Sequence, residues 1–292
     1  MYSYNEAFTR NLGWVTAEEQ QRLRNARIAI AGMGGVGGSH LLTLARLGIS
    51  RFNVADFDTF ELHNMNRQAG ARVSSLGRPK VDVLSEMARD INPEVSINAF
   101  HQGVTEENVS AFLEDVDVYV DGLDFFVLDM RRKVFAACRE RGIPAITVAP
   151  LGMGAALLTF LPSSMSFDEY FCFEEASPDE RPLYFAVGLA PAMLQMPYVV
   201  EPSAVRLSEQ RGPSTAMACE LCAGIAATES LKLILGRGKV LAAPRGMQFD
   251  AYRGKMRKTW RPLGNRNPIQ RLMLAFGKYK LRQFSTSGHQ DG

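Results

Sequence analysis

Short apolar runs alternate with stretches of helical spacing through the first half of the chain. Arg27–Ala31 (RIAIA) predicts a strand, and residues 39–47 predict a helix after the glycine-rich residues 32–38. Strand-like runs follow at 52–55, 95–100, 116–120 and 145–149, with helical spacing at 79–91, 106–113 and 129–141. Strands alternating with helices predict a parallel sheet with right-handed crossovers. Residues 58–77 are polar and irregular. Upstream, residues 1–26 predict a helical arm in which Thr16 and Glu19 form a capping box.

Past residue 149 the pattern changes. Residues 145–162 carry no charge but include Pro150, Gly152 and Gly154, which suits a buried strand–turn–strand or a broken hydrophobic insert. Residues 163–215 mix acidic, aromatic and proline-rich pieces, and within them 184–200 is uncharged yet holds Pro191 and Pro197. A stretch this apolar is expected to cover a substrate, a partner or a membrane surface. Residues 218–235 predict a long apolar helix stopped by Gly236, and 247–252 a late strand. The expected division is an arm at 1–26, a nucleotide-binding part at 27–162, a crossover or substrate segment at 163–215, a C-terminal part of the same domain at 216–265 and a tail at 266–292.

Composition narrows this only slightly. At 46% hydrophobic and 22% charged residues, the 292-residue chain has the make-up of a folded globular protein. Lys plus Arg is 33 and Asp plus Glu is 31, so net charge names no partner. Four cysteines are too few for a disulfide scaffold. With no leader-like stretch, the expected compartment is a reducing cytoplasm.

Gly32-Met33-Gly34-Gly35-Val36-Gly37 satisfies G-x-G-x-x-G between a strand and a helix. Glycines let the backbone turn tightly, and free amides at a helix N-terminus favour an anion. Asp56 ends the next strand, where a carboxylate would hold ribose hydroxyls. The fold expected is α/β: a Rossmann-like, mainly parallel sheet flanked by helices and extended by a smaller C-terminal part. The loop alone does not choose among NAD, FAD and ATP. The residues downstream of Asp56 do. Asn64, Asn66, Arg67 and Gln68, then Lys80, gather cations and neutral donors near the phosphate end, and Asp121 and Asp124 emerge beyond the fourth strand. Cations on phosphates with a carboxylate for magnesium suit nucleotidyl transfer. Taken singly, each of these residues reads as a surface charge or a helix cap.

This series, with Asp56-Phe57-Asp58, Asn64-x-Asn66-Arg67-Gln68, Lys80 and Asp124 in order, resembles the ThiF–MoeB–HesA family, the bacterial relatives of ubiquitin-activating enzymes, over about residues 8–236. The resemblance implies an adenylyltransferase that uses ATP and Mg2+ to activate a carboxylate on a ubiquitin-like carrier, a peptide C-terminus or a small acid. By position it implies Gly32, Gly34, Gly35, Gly37, Asp56, Asp58, Asn64, Asn66 and Gln68 for the nucleotide. Asn66, Arg67 and Lys80 would contact phosphates, Asp124 would organise the metal, and Arg10 would reach the nucleotide of a partner subunit in a homodimer. A tRNA-modifying dehydratase of the same superfamily is the substrate variant. An NAD- or FAD-dependent oxidoreductase is the alternative from another class, and a non-catalytic partner subunit a third.

The chain departs from the family pattern in places. Phe125 stands where the family usually has Asn, and the arginine expected soon after is delayed to Arg131 or Arg132. Only one Cys-x-x-Cys occurs, Cys219 to Cys222, so no structural zinc is expected. Cys172 reads as a packed thiol; Cys219, opening a helix, reads as one whose pKa is lowered. Ten basic residues from Arg253 to Arg282, with no acid among them, run into a basic amphipathic tail at 266–292, suited to peripheral membrane contact, nucleic acid, an acidic partner or docking on its own domain. No zinc-knuckle, RNA-recognition or helix-turn-helix signature for specific nucleic-acid binding, DNA included, is present.

Overall fold

In the computed structural model, residues 2–201, 204 and 212–287 are described, with side chains described through Tyr279. Eight strands form one sheet: β1 (Arg27–Ala31), β2 (Arg51–Ala55), β3 (Ser96–Phe100), β4 (Val118–Asp121), β5 (Ala145–Leu151), β6 (Gly154–Phe160), β7 (Arg245–Asp250) and β8 (Lys255–Trp260). Their order is β3-β2-β1-β4-β5-β6-β7-β8. The first five run parallel and the last three pair antiparallel. The helices are α1 (Tyr4–Ala7), α2 (Ala17–Asn25), α3 (Gly35–Arg46), α4 (Lys80–Ile91), α5 (Val109–Phe112), α6 (Leu128–Glu140), α7 (Phe167–Phe171), α8 (Arg181–Leu189), α9 (Ala216–Leu235) and α10 (Pro268–Ser287). The chain is α/β, as its alternating pattern predicts.

The central strands β1, β2, β4, β5 and β6 are buried on both faces, which explains why the parallel ones among them read as continuous apolar runs. Alternate residues of β1 serve the two sides. Ile28 and Ile30 pack with Leu41 and Leu44 of α3, Leu84 of α4 and Ala226 of α9. Ala29 and Ala31 face an aromatic layer built on Phe112, Tyr119, Phe135, Phe160, Phe167 and Phe185. In that layer Phe135 and Phe167 stack at 4.3 Å, tying α6 to α7. Small alanines on one side of β1 leave room for these rings.

Strand order reverses between β1 and β4, so a crevice opens beyond their carboxyl ends, where ligands bind in open α/β sheets. The capping box is formed: Glu19 N donates to Thr16 Oγ1 at 3.1 Å and Thr16 N to Glu19 Oε2 at 2.9 Å. Residues 145–162 form the expected buried strand–turn–strand.

Two expected helices change, and one strand and one packing arrangement add to the picture. The first crossover helix begins at Gly35, because Gly37 and Gly38 lie inside it, buried against their neighbours. The helix expected at 106–113 is a single turn, α5, since Asn108 is used to close a turn with Thr105. Strand β8 has no sequence signal: KMRKTW is nearly all exposed and shows no apolar alternation. The apolar helix at 218–235 needs a cover, and α9 finds it on one side within its own chain, against α3 and strands β5 and β6.

The first half of the tail docks on α8. Leu274 is buried, Gln270 Nε2 donates to Val187 O at 3.0 Å, and Lys278 pairs with Glu180 at 2.9 Å. Lys280, Arg282 and Phe284 lie outside the described side chains, and 288–292 outside the described residues. No helix among the described residues is long and apolar enough to cross a membrane.

Candidate active site at the switch point

The site begins where three backbones touch. Gly32, at φ +86°, leaves β1; a Cβ there would lie 2.2 Å from Gly122 O, just past β4. A Cβ on Gly37 would lie 1.7 Å from Gly32 O. These glycines let α3 start directly above the strand ends. Gly34 is the N-cap residue, Gly35 opens the helix, and no side chain caps the first turn. Its amides are therefore free to meet an anion.

Asp56, at the end of β2, braces this loop. Its carboxylate accepts from Met33 N at 2.6 Å and from Asp58 N at 2.7 Å. Burial pushes its pKa up, opposed by those bonds and by Lys80. Each oxygen keeps a lone pair for a further donor such as a ribose hydroxyl. Lys80 opens α4 and is buried, with Nζ 2.8 Å from Asp58 Oδ2. Asp58 thus holds the lysine in place and half-neutralises it.

The Asn64–Gln68 segment divides its labour. Asn64 is buried and its Oδ1 accepts from Glu61 N at 2.9 Å, a turn-closing role. Asn66 Nδ2 donates to Ser214 O at 3.0 Å, tying the segment to the approach of α9. Arg67 Nη1 donates to His63 O and Asn66 Oδ1, and its aliphatic stem lies 3.8 Å from the Cβ position of Gly35. Gln68 Nε2 lies 3.8 Å from the corresponding position of Gly34, while Gln68 Oε1 is buried with no hydrogen-bond partner. A buried acceptor left unpaired beside an anion-binding loop calls for a donor, which a bound nucleotide would supply.

Two carboxylates follow β4, and the structure separates them. Asp121 is buried and paired with Arg131 at 2.8 Å. Asp124 is exposed; its Oδ1 accepts from Phe126 N at 3.1 Å, and among the described residues it has no ion pair. Asp124 therefore has coordination capacity to spare, and Asp121 does not. One carboxylate plus substrate phosphates is a usual way to hold magnesium. Among the described residues no group of three or more His, Cys, Asp or Glu is placed to hold a metal ion without a ligand.

Arg131 is the functional residue that sequence reasoning leaves ambiguous. Beyond Asp121, its guanidinium donates to Leu123 O at 2.6 Å and Asp124 O at 3.0 Å, and lies over the Phe185 ring at 4.7 Å. One buried cation thus holds the loop that carries Asp124 and links it to α8. An arginine ten residues beyond a strand-ending aspartate is the available signal, and it does not distinguish Arg131 from Arg132. Arg132 instead pairs with Asp168 at 2.8 Å.

The thiols are quiet. Cys172 is buried in a left-handed backbone position, its Sγ donating to Glu169 O at 3.3 Å, and burial pushes its pKa up. Cys219 lies beside the glycine loop, 3.1 Å from the Cβ position of Gly35. Its pKa is expected to fall at a helix N-terminus. It is raised, because burial outweighs the hydrogen bond to Ser214 and the charge of Arg67.

Arg10 is elsewhere. Asn11 Nδ2 donates to Leu47 O at 3.1 Å and Tyr4 OH to Gly48 O at 2.6 Å, which anchors the arm beyond the C-terminus of α3. The glycine loop lies at the other end of that twelve-residue helix, about 18 Å away.

A family model described as the ThiF family matches residues 8–271. The chain is 35% identical over 150 residues to a tRNA threonylcarbamoyladenosine dehydratase of Bacillus subtilis (strain 168), covering 51% of this chain and 57% of that protein. It is 30% identical over 167 residues to the sulfur carrier protein ThiS adenylyltransferase of Escherichia coli (strain K12), covering 57% and 64%. It thus spans under two thirds of the length of either relative. A crystal structure of E. coli MccB with ATP superposes with a TM-score of 0.65 at 18% identity, over 88% of this chain and 72% of that one.

The clamp makes a prediction. Replacing Arg131 with Met strands Asp121 in the interior, so urea unfolding should show a loss of about 3–5 kcal/mol. The double variant Arg131→Met with Asp121→Asn should recover part of it. A loss below about 1 kcal/mol in the single variant would show that the pair does not hold the loop.

Proposed function

The chain belongs to the ThiF family, and on that premise we propose that it activates a carboxylate with ATP and magnesium as an acyl-adenylate. The observation that carries the proposal is the pairing of an uncapped α3 and unpaired Gln68 Oε1 on one side of the switch point with an exposed Asp124 on the other. A dinucleotide site is not expected to gather Arg67, Lys80 and Asp124 together there.

The residues then share the work of one displacement. The acceptor carboxylate oxygen attacks the α-phosphorus, the bond to the bridging oxygen breaks, and pyrophosphate leaves with the electron pair. Asp56 orients the ribose through its spare lone pairs. The amides of α3, with Arg67 and Lys80, hold the phosphates and balance the growing negative charge. Lys80, poised by Asp58, is placed before the reaction starts. Asp124 would hold magnesium, whose charge would stabilise the departing pyrophosphate.

Two acceptor classes are suggested by the named relatives. A sulfur-carrier adenylyltransferase suggests a ubiquitin-like or peptide C-terminus, and a tRNA dehydratase suggests a carboxylate borne on modified tRNA. The first half-reaction is common to both.

We further propose a homodimer with Arg10 acting in trans. The arm docks at the amino edge of its own sheet, so Arg10 is exposed and far from its own glycine loop. Across a two-fold axis it would face the neighbour's nucleotide. Exposed Leu62, Val73 and Leu76, in the loop before Lys80, give such an axis apolar surface to cover.

Two experiments test these readings. Asp124→Asn should lower ATP–pyrophosphate exchange with the true acceptor by about a hundredfold or more, a transition-state loss of ~3 kcal/mol, with the fold unchanged by circular dichroism. Full exchange in this variant would move the metal site elsewhere. For the trans arginine, inactive Arg10→Ala is mixed with inactive Asp124→Asn under conditions of subunit exchange. The mixed dimer should regain one working site. No recovery despite proven exchange, or an active wild-type monomer by light scattering, would refute it.

A further inference from the structure

Beyond the nucleotide crevice, the sheet ends in an open, positively charged edge. Strand β8 pairs with β7 on one side and is the terminal strand on the other. Along it Lys255 and Arg257 point to one face, and Met256, Lys258 and Trp260 to the other. Among the described residues, the side chains of Lys255, Arg257 and Lys258 have no hydrogen-bond or ion-pair partner, whereas Arg266 and Lys278 are matched by Glu175 and Glu180. No acid occurs in the sequence between Asp250 and Asp291. Trp260 is 60% exposed, and the Arg245 guanidinium lies over its ring at 5.8 Å.

This edge lies five strands from β1 but shares with the site the carboxyl end of the parallel strands. Gly154 pairs with Asp250, and Ala251 N donates to Met153 O at 3.1 Å. The β7–β8 turn therefore sits beside the β5–β6 turn, at the carboxyl end of the parallel strands. There the exposed Tyr252 ring stands 4.7 Å from that of Tyr198. An extended ligand on β8 would run from the carboxyl end of the sheet, marked by Tyr252, to Trp260 at the opposite end.

We propose that β8 and its flanking aromatics bind single-stranded RNA. Three cations in six residues disfavour pairing with another protein strand, which is how open edges are commonly guarded. They do not repel phosphates. Unpaired nucleotides add bases that stack on exposed Trp and Tyr rings, the usual partnership of single-stranded RNA with a sheet surface. A lipid surface is better met by an amphipathic helix than by a strand edge with two large apolar side chains. As an acceptor-docking surface, β8 rests on the adenylation reading and selects the RNA-borne carboxylate. As a binding surface it is measured without ATP, so the two can fail separately.

The test is fluorescence anisotropy of a short labelled oligouridylate titrated with the full chain, without nucleotide, at several salt concentrations. Arg257→Glu with Lys258→Glu should weaken binding at least tenfold and make the salt slope shallower by about 1.4, two phosphate contacts at about 0.7 each. Trp260→Ala should weaken it about tenfold. In a Trp14→Phe background, the emission of Trp260 should be quenched by the RNA. ATP–magnesium affinity should be unchanged in every variant, which separates loss of the edge from loss of the fold. Undiminished RNA binding by the double variant would overturn the proposal. So would tighter binding to polyglutamate or to phosphatidylglycerol vesicles than to RNA.

Discussion

The contact among Gly32, Gly37 and Gly122 is the constraint on which the rest of the site depends. Three pieces of backbone, from the end of β1, the first turn of α3 and the end of β4, approach too closely for any Cβ. Without that approach α3 could not start over the strand ends, and its amides would not face the crevice. Nor would Asp124 be carried to the same crevice, because Gly122 sets where the β4 loop leaves the sheet. Gly122 N donates to Ala31 O at 2.8 Å and Gly32 N to Ala55 O at 2.7 Å, so β2, β1 and β4 are fastened together at this point.

Around this contact, charge is apportioned by burial. Asp121 and Arg131 are both buried and neutralise each other, and Lys80 is buried against Asp58. The fully buried Asp121–Arg131 pair adds little net stability but is costly to break, so it fixes geometry. Once both pairs are made, Asp124 is the carboxylate beyond β4 that remains exposed and without an ion pair among the described residues. Arg67 lies over the start of α3 with its charge directed by backbone and amide oxygens instead of a carboxylate. A polyanion entering the crevice therefore meets cations that are already placed and in part unmatched.

Much of this is legible in the sequence. The parallel strands are visible because burial on both faces demands continuous apolar runs, and the glycine loop because tight backbone contact admits no other residue. The choice of Asp124 over Asp121 rests on the resemblance alone, since three residues of spacing do not show which side chain turns into the core. Asn64 and Asn66 look alike in the motif, yet one closes a turn and the other reaches Ser214. Strand β8 escapes notice because an exposed edge needs no apolar face. The raised pKa of Cys219 escapes because position at a helix start says nothing about depth. Gly122 passes as part of Asp121-Gly122-Leu123-Asp124, its role fixed by residues about ninety positions away.

The central claim is that this crevice is built for ATP with magnesium and not for a dinucleotide. Calorimetric titration of the purified chain tests it most directly, with ATP–magnesium in one experiment and NAD in the other. Saturable ATP–magnesium binding at one site per chain, well tighter than NAD, is the expected result. Tighter binding of NAD, or a flavin visible by absorbance in the purified protein, would contradict it.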